Sequence, residues 1–168
     1  MPDRIVAPEI DETPAKHELP RAYALRIALL KCEAVAKQEG GSLVLAADTV
    51  VAVGRRILPK AASPGEVERC LKRLSGRRHQ VLTALALAAP GAPLRTRIVT
   101  TRVAFKVLTP EEIAAYVASG EGEGKAGGYA IQGRAEAFVR FINGSYSNVV
   151  GLPLYETLAL FNGCGYPC

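Results

Sequence analysis

Residues 43–53 read LVLAADTVVAV, an aliphatic and β-branched run that contains one carboxylate, Asp48, followed directly by Thr49. A run of this length and composition is typical of a strand buried on both faces of a central sheet. A carboxylate within such a strand needs a cation, a metal or hydrogen-bond donors, because burying an unpaired charge is costly. The alternative is an ordinary aspartate that caps the next turn through a backbone N–H.

The overall composition is that of a folded globular protein. The 168 residues are 49% hydrophobic and 22% charged, and a chain of this size buries roughly 70% of its unfolded surface. We therefore expect one domain over residues 1–168. No apolar run reaches membrane length and no signal peptide opens the chain, which predicts a cytoplasmic protein. The net charge of +5 suits an anionic small molecule as well as nucleic acid.

The cysteines and histidines do not form a zinc-binding pattern. Cys32 and Cys70 fall inside predicted helices, while Cys164 and Cys168 lie in a short tail, and no two are spaced as C-x-x-C. With only two histidines to add, reduced thiols are expected. Any bound metal should therefore be a hard ion on oxygen ligands.

Four helices are predicted from apolar periodicity and from their terminal residues. The first covers residues 21–38 and places Lys31 among apolar positions, where its ammonium either reaches solvent past the helix or meets a bound anion. The second and third begin with SPGE at 63–66 and TPEE at 109–112, which predicts two capping boxes, and end at Gly76 and Gly120. The last covers residues 153–161.

Strands are predicted at residues 4–7, 43–53, 80–88, 96–107, 129–132 and 137–142. A turn at residues 90–93, PGAP, joins two of them as a hairpin. The basic stretch 75–79, SGRRH, is interpreted as the end of a helix, because no aromatic residues are interleaved as a nucleic-acid patch would require. This order of elements predicts an α/β or α+β fold with a mixed, twisted sheet flanked by helices.

The candidate functional residues are polar groups beside turns, glycines or apolar segments: Glu12, Lys31, Asp48, Thr49, Lys60, Lys125 and Gln132. Pro59 fixes the backbone just before Lys60, and the stretch 121–133, EGEGKAGGYAIQG, permits close backbone approach to a ligand. Two carboxylates can hold a divalent ion and deprotonate water, lysines can neutralise phosphates, and an amide can read a base. This inventory suits hydrolysis of a nucleotide phosphoanhydride.

Five motifs, in the same order along the chain, resemble the Maf family of nucleoside triphosphate pyrophosphatases. They are IDE at 10–12, ADTVV at 47–51, LSGR at 74–77, KAGGYAIQG at 125–133 and GSYSNVVGLP at 144–153. The resemblance implies a Maf/ITPase-like fold. It also implies hydrolysis of a nucleoside triphosphate to the monophosphate and pyrophosphate with a divalent cation, Mg²⁺ or Mn²⁺, as cytoplasmic house-cleaning of unwanted nucleotides.

The resemblance further implies roles for the candidate residues. Asp48 aligns with the proton acceptor that activates water, and with Glu12 it forms the catalytic and metal-binding pair. Lys31, Lys60 and Lys125 are implied substrate contacts, and Thr49 and Gln132 fall at positions linked to base choice. The KAGGYAIQG form is similar to the branch that acts on dTTP and UTP. A homodimer is expected by family analogy, with no nucleic-acid or membrane partner.

The chain departs from the family in one segment. Family members begin with a strand and a Ser-x-Ser-Pro-Arg-Arg loop whose arginines grip the phosphates, and no stretch of this chain supplies that motif. Either the start is assigned too late or the first strand and loop are missing, which would open a sheet edge and weaken phosphate binding. One alternative to the enzyme follows from this departure: a catalytically impaired nucleotide-binding or septum-formation regulatory protein. A second alternative, an RNA-binding domain, is suggested by charge alone.

Overall fold

The apolar stretch at 43–53 forms the first strand of a five-stranded sheet in the computed structural model, which describes residues 3–166. The strands are β1 (Val44–Val53), β2 (Arg56–Leu58), β3 (Arg78–Ala88), β4 (Arg95–Phe105) and β5 (Val139–Asn143). They lie in the order β2-β1-β3-β4-β5. All four ladders between these strands are antiparallel, so the predicted mixture of strand directions is wrong for the described sheet.

The helices of the described residues are α1 (Pro20–Gln38), α2 (Pro64–Leu74), α3 (Pro110–Ala118), α4 (Tyr146–Val150) and α5 (Leu154–Gly163), with a 3₁₀ helix at Arg134–Phe138. The predicted α/β class, with helices packed against a sheet, is confirmed. None of these helices is both long and apolar enough to span a membrane.

The two faces of β1 pack against different partners, because successive strand side chains point to opposite faces. The even-numbered Val44 and Val50 pack with Ala24, Ala28 and Cys32 of α1. The odd-numbered residues face the other way. Of these, Val51 joins the cluster formed with α2, α3 and the 3₁₀ helix, and Leu45 joins a smaller cluster with α5.

Only part of β1 is an interior strand. Its inner edge pairs with β3 from Val44 to Ala52, whereas β2 pairs only with Val51, Ala52 and Val53 on the outer edge. In residues 3–166, the outer edge of β1 over positions 44–50 therefore has no strand partner. A groove of about 900 Å³ runs beside this edge. The open edge makes side chains from both faces of β1 reachable from one side.

Two predicted strands are wrong for local reasons. Residues 4–7 form no strand: Ile5 is 89% exposed, so this segment buries little apolar surface. Residues 129–132 form no strand either, because Gly127 and Gly128 adopt φ of 66° and 70° and a turn closes from the N–H of Gly133 to the carbonyl of Ala130. Both segments are irregular and lie near the candidate functional residues.

Other boundaries shift by a few residues. Arg78 and His79, interpreted as the end of a helix, belong to β3, and the last turn of α2 carries Lys72 and Arg73 instead. The predicted strands at 96–107 and 137–142 are observed as β4 and, after the 3₁₀ helix, β5. The last helix runs from Leu154 to Gly163 rather than 153–161, and α4 was not predicted.

The helix caps follow the sequence closely. Thr109 and Glu112 form the predicted reciprocal capping box at the start of α3. At the start of α2, the hydroxyl of Ser63 accepts from the N–H of Glu66 at 3.4 Å, but the Glu66 carboxylate accepts from the N–H of Ala62 at 2.7 Å. In the capping box predicted for α2, the glutamate carboxylate therefore accepts from the N–H of Ala62 instead of the N–H of Ser63, one residue later.

The glycine-rich stretch generates a stability prediction, because Gly127 lies against β1. A Cβ at Gly127 would lie 2.8 Å from the Cβ of Val51, whereas a Cβ at Gly124, which has a similar positive φ of 71°, would meet nothing within 4 Å. Both Gly→Ala substitutions add backbone strain, but only Gly127→Ala adds overpacking, so we expect it to lose about 1–3 kcal/mol more. Urea denaturation of both variants measures the difference, and equal losses would contradict the packing account.

Candidate active site

Four charged side chains form a continuous chain of ion pairs at the open edge of β1. The Nζ of Lys31 lies 2.8 Å from Oδ1 of Asp48 and 2.8 Å from Oε1 of Glu12. The other carboxylate oxygen of Glu12 accepts from the Nζ of Lys60, also at 2.8 Å. Glu12 therefore bridges two lysines that come from separate segments, and two positive charges balance two negative ones.

The placement of Asp48 and Lys31 follows from the face each occupies. Asp48 is an even-numbered residue of β1 and faces α1, from which Lys31 reaches toward the sheet. The alternative of a turn-capping aspartate is therefore wrong. The alternative that Lys31 extends into solvent is also wrong, since its side chain is 17% exposed and that of Asp48 is 3% exposed.

Burial and pairing shift the proton affinities of this cluster in different directions. Burial raises the pKa of Asp48, although the hydrogen bond from Lys31 opposes the change. Partial burial would raise the pKa of Glu12, but the hydrogen bonds from Lys31 and Lys60 outweigh it, so this pKa is lowered. The pKa of Lys31 is raised because its bonds to Asp48 and Glu12 outweigh desolvation. A carboxylate made more basic by burial is suited to accepting a proton.

Beside this cluster lies a cavity of about 220 Å³. Six of the seven candidate residues line it: Lys31, Asp48, Thr49, Lys60, Lys125 and Gln132. Glu12 does not line the cavity and instead holds the ammonium groups of Lys31 and Lys60. The structure thus brings together all seven residues that the sequence singled out, and Glu12 contacts the cavity through its lysine partners.

The cavity has a charged end and a neutral end, because it wraps around the open edge of β1. Asp48 pairs with Lys31 on the α1 face. Thr49 points to the opposite face, where its hydroxyl lies 2.9 Å from that of Thr83 and 3.4 Å from the carbonyl of Gly151. Tyr129 and Val149 line the cavity and pack in the cluster of Val51, which is on the same face of β1 as Thr49. A ligand with one anionic and one uncharged part fits this division.

Backbone hydrogen bonds join the two segments that carry Lys60 and Lys125. The N–H of Ala61 donates to the carbonyl of Lys125 at 3.1 Å, and the N–H of Gly124 donates to the carbonyl of Ala61 at 2.8 Å. Lys60 also forms an isolated antiparallel bridge with Ala126. The sequence predicts that the glycine-rich stretch allows close backbone approach to a ligand, whereas the approach seen here is to another segment of the chain.

Sequence reasoning missed the buried polar residues that support the neutral end. Asn148 is fully buried, and its amide Nδ2 donates to the carbonyl of Val81 at 3.1 Å and to the hydroxyl of Thr101 at 2.9 Å. Thr83 is also fully buried, opposite Thr49 in the β1–β3 ladder. The motif GSYSNVVGLP is visible in the sequence, but a role for its asparagine depends on ladder registers that the sequence does not reveal.

Among the described residues of the charged cluster, the possible metal ligands are the carboxylates of Glu12 and Asp48. Within residues 3–166, no group of three or more His, Cys, Asp or Glu side chains could hold a metal ion. Cys32, Cys70 and Cys164 are free thiols, and Cys168 lies outside the described residues. His79 is buried in contact with the Tyr129 hydroxyl at 2.8 Å. Glu12 and Asp48 remain as a pair of hard oxygen donors.

Comparison with known proteins shows the family of this chain. Residues 1–164 match the model of the Maf-like protein family, and the chain belongs to the Maf family. It is 60% identical over 167 residues to the dTTP/UTP pyrophosphatase of Sphingopyxis alaskensis, covering 99% of this chain and 87% of that protein. It is 58% identical to the dTTP/UTP pyrophosphatases of Caulobacter vibrioides (98% and 86% covered) and Rhodospirillum rubrum (99% and 79% covered).

The buried ion pair generates a second prediction. Lys31→Met leaves the Asp48 carboxylate without its closest cation, so we expect the free energy of unfolding at pH 7 to fall by about 2–4 kcal/mol. Adding Asp48→Asn to that variant removes the unpaired charge and should recover most of the loss. Urea denaturation of the single and double variants tests this, and a double variant as unstable as Lys31→Met would contradict it.

The pH dependence of Lys31→Met has a definite sign. A raised pKa means that folded Asp48 binds a proton more tightly than the unfolded chain does. Ionised Asp48 therefore lowers the free energy of unfolding above the folded pKa, and this loss of stability is relieved as the pH falls below that pKa. Without Lys31 this pKa rises further, because the largest opposing interaction is removed. Lowering the pH from 7 toward 4 should therefore narrow the stability gap between Lys31→Met and the double variant.

Proposed function

We propose that this protein hydrolyses nucleoside triphosphates, with dTTP and UTP preferred, to the monophosphate and pyrophosphate. The observation that carries the proposal is Asp48, a buried carboxylate with a raised pKa in a cavity that also receives Lys31, Lys60 and Lys125. Relatives that are 58–60% identical are named dTTP/UTP pyrophosphatases, which supports this substrate class.

The division of the cavity supports an orientation for the nucleotide. The phosphates lie at the charged end, where they displace the Glu12 carboxylate from Lys31 and Lys60, and the base lies at the neutral end beside Thr49 and Gln132. The cavity volume of about 220 Å³ is below the roughly 300–1,000 Å³ typical of ligand pockets. The triphosphate therefore extends along the open edge of β1 rather than being enclosed.

In the proposed reaction Asp48 is the general base. It takes a proton from the water molecule whose oxygen forms a new bond to the α-phosphorus. The bond between the α-phosphorus and the bridging oxygen breaks, and pyrophosphate leaves with the electron pair. Lysine ammonium groups neutralise the charge on the phosphate oxygens, which is the main contribution a protein makes to phosphoryl transfer.

A divalent cation fits the donor set of this site. Mg²⁺ commonly binds through one or two carboxylates together with substrate phosphates, and Glu12 and Asp48 supply two such groups. Their oxygens lie on either side of the Lys31 ammonium, 2.8 Å from it in each case. Bound Mg²⁺ or Mn²⁺ would add charge neutralisation at the phosphates. Glu12 and Asp48 are the residues we assign to hold it.

A second candidate function is nucleotide binding without turnover. The observation that favours it is the composition of the described cavity lining, which offers lysines but no arginine for bidentate binding of phosphate. Such a protein would act as a regulator rather than an enzyme.

In either case we place the protein in the cytoplasm as a homodimer without nucleic-acid or membrane partners, on the basis of the family resemblance.

The test uses purified protein with dTTP, UTP and 7-methyl-GTP in the presence of Mg²⁺ or Mn²⁺, scored for pyrophosphate and monophosphate. We expect Asp48→Asn to lower kcat by about 10²–10⁴-fold, the contribution of a positioned general base. Asp11→Asn is the matched control, since Asp11 is exposed, lies outside the cavity lining and accepts from the N–H of nearby Thr13 at 2.8 Å. A chelator should stop turnover by the wild type.

Two outcomes would contradict the proposed reaction. If Asp48→Asn turns over substrate at the rate of Asp11→Asn, Asp48 is not the general base. Tight nucleotide binding by the wild type, with no pyrophosphate release under any metal, would favour the regulatory function instead.

A further inference from the structure

Thr49 lines the cavity, and two protein oxygens are within reach of its hydroxyl proton. The oxygen of Thr83 lies at 2.9 Å and the carbonyl of Gly151 at 3.4 Å. A threonine hydroxyl carries one proton and two lone pairs. Whether this hydroxyl donates to a ligand or accepts from it depends on where that single proton lies.

Where both hydroxyl protons are donated to protein oxygens, Thr49 offers only a lone pair to the cavity, and two such arrangements use the 2.9 Å contact. In the first, Thr83 donates to the carbonyl of Asn148 at 3.1 Å, so the Thr49 proton goes to Thr83. In the second, Thr83 donates to Thr49, and the Thr49 proton goes to the carbonyl of Gly151. The first is favoured, because 3.4 Å is long for an O–H···O hydrogen bond.

Buried contacts hold this network in place. Thr83 is fully buried and faces Thr49 directly across the β1–β3 ladder, so it cannot touch a ligand itself. The acceptor carbonyl belongs to Asn148, whose side chain is anchored to Val81 and Thr101 on two strands. The direction of the Thr49 hydroxyl is therefore set by residues behind the cavity wall.

We propose that Thr83 is a positioning residue that presents Thr49 as a hydrogen-bond acceptor and thereby selects nucleobases with a ring N–H donor. The imide N3–H of uracil and thymine meets this requirement, whereas N3 of cytosine is itself an acceptor and would face a lone pair. The inference rests on the proposed function in that the base occupies the neutral end of the cavity. It adds the physical reason for a preference between two pyrimidines.

The experiment compares UTP, CTP and N3-methyl-UTP, which keeps both carbonyls of uracil but lacks the N3 proton. For the wild type, kcat/KM for pyrophosphate release and Kd from calorimetry without added metal are measured with each. Thr83→Val removes the hydroxyl at similar volume, and Thr83→Ser keeps it. Thr100→Val is a control for the same substitution at an exposed position of β4 outside the cavity lining.

We expect the wild type to favour UTP over both CTP and N3-methyl-UTP by at least about tenfold, because a site built around one hydrogen bond rejects a ligand that cannot make it. Thr83→Val frees the Thr49 proton for cytosine N3 and should narrow the UTP to CTP ratio by about fivefold or more. Thr83→Ser and Thr100→Val should keep the wild-type ratio.

The inference is overturned if the wild type treats N3-methyl-UTP like UTP, a result that requires no variant to fold. It is also overturned if folded Thr83→Val and Thr83→Ser give the same ratio, or if no nucleotide binds. Absence of pyrophosphate release with a preserved binding preference for UTP would refute the proposed hydrolysis and leave the role of Thr83 supported.

Discussion

The pairing of Asp48 with Lys31 is the interaction on which the candidate site depends. A carboxylate that is 4% exposed in the middle of an apolar strand is tolerated only because an ammonium reaches it from the facing helix. That requirement fixes the side of α1 that faces the sheet. Lys31 is in turn held by Glu12, so the irregular segment before α1 is tied to the same point.

The open edge of β1 explains how one strand places two chemically different side chains in a single cavity. Neighbouring residues of a strand normally point into separate layers and cannot share a pocket. Here the outer edge lacks a partner over positions 44–50 in the described chain, and a single cavity reaches Asp48 on one face and Thr49 on the other. The charged and neutral halves of the site are thus only one residue apart in sequence.

Much of the fold could be predicted from local signals. The capping residues Ser63 and Thr109 located two helices, and the apolar run around Asp48 located β1, because these signals act within a few residues. The antiparallel order of the sheet could not be derived, since it depends on contacts between distant segments. The strand assigned to residues 129–132 failed because glycines at positive φ turn the backbone there.

The same distinction applies to the candidate site. Asp48, Lys60 and Gln132 stood out because a charge or amide next to apolar or glycine-rich sequence is unusual. Thr83 and Asn148 did not, because a threonine in a strand and an asparagine in a turn are ordinary locally. Their importance arises from the β1–β3 register, which sets Thr83 opposite Thr49, and from burial that leaves the asparagine side chain only protein partners.

Glu12 is an internal counterion for two lysines of the candidate site. By contacting Lys31 and Lys60 at the same time, it makes this cluster of four charges electrically neutral. A simple anion such as chloride or sulfate must compete with a carboxylate that is already held at two points, whereas a triphosphate can engage both lysines through one molecule. The two ion pairs of Glu12 thus favour an extended polyanion over a small single anion at these lysines.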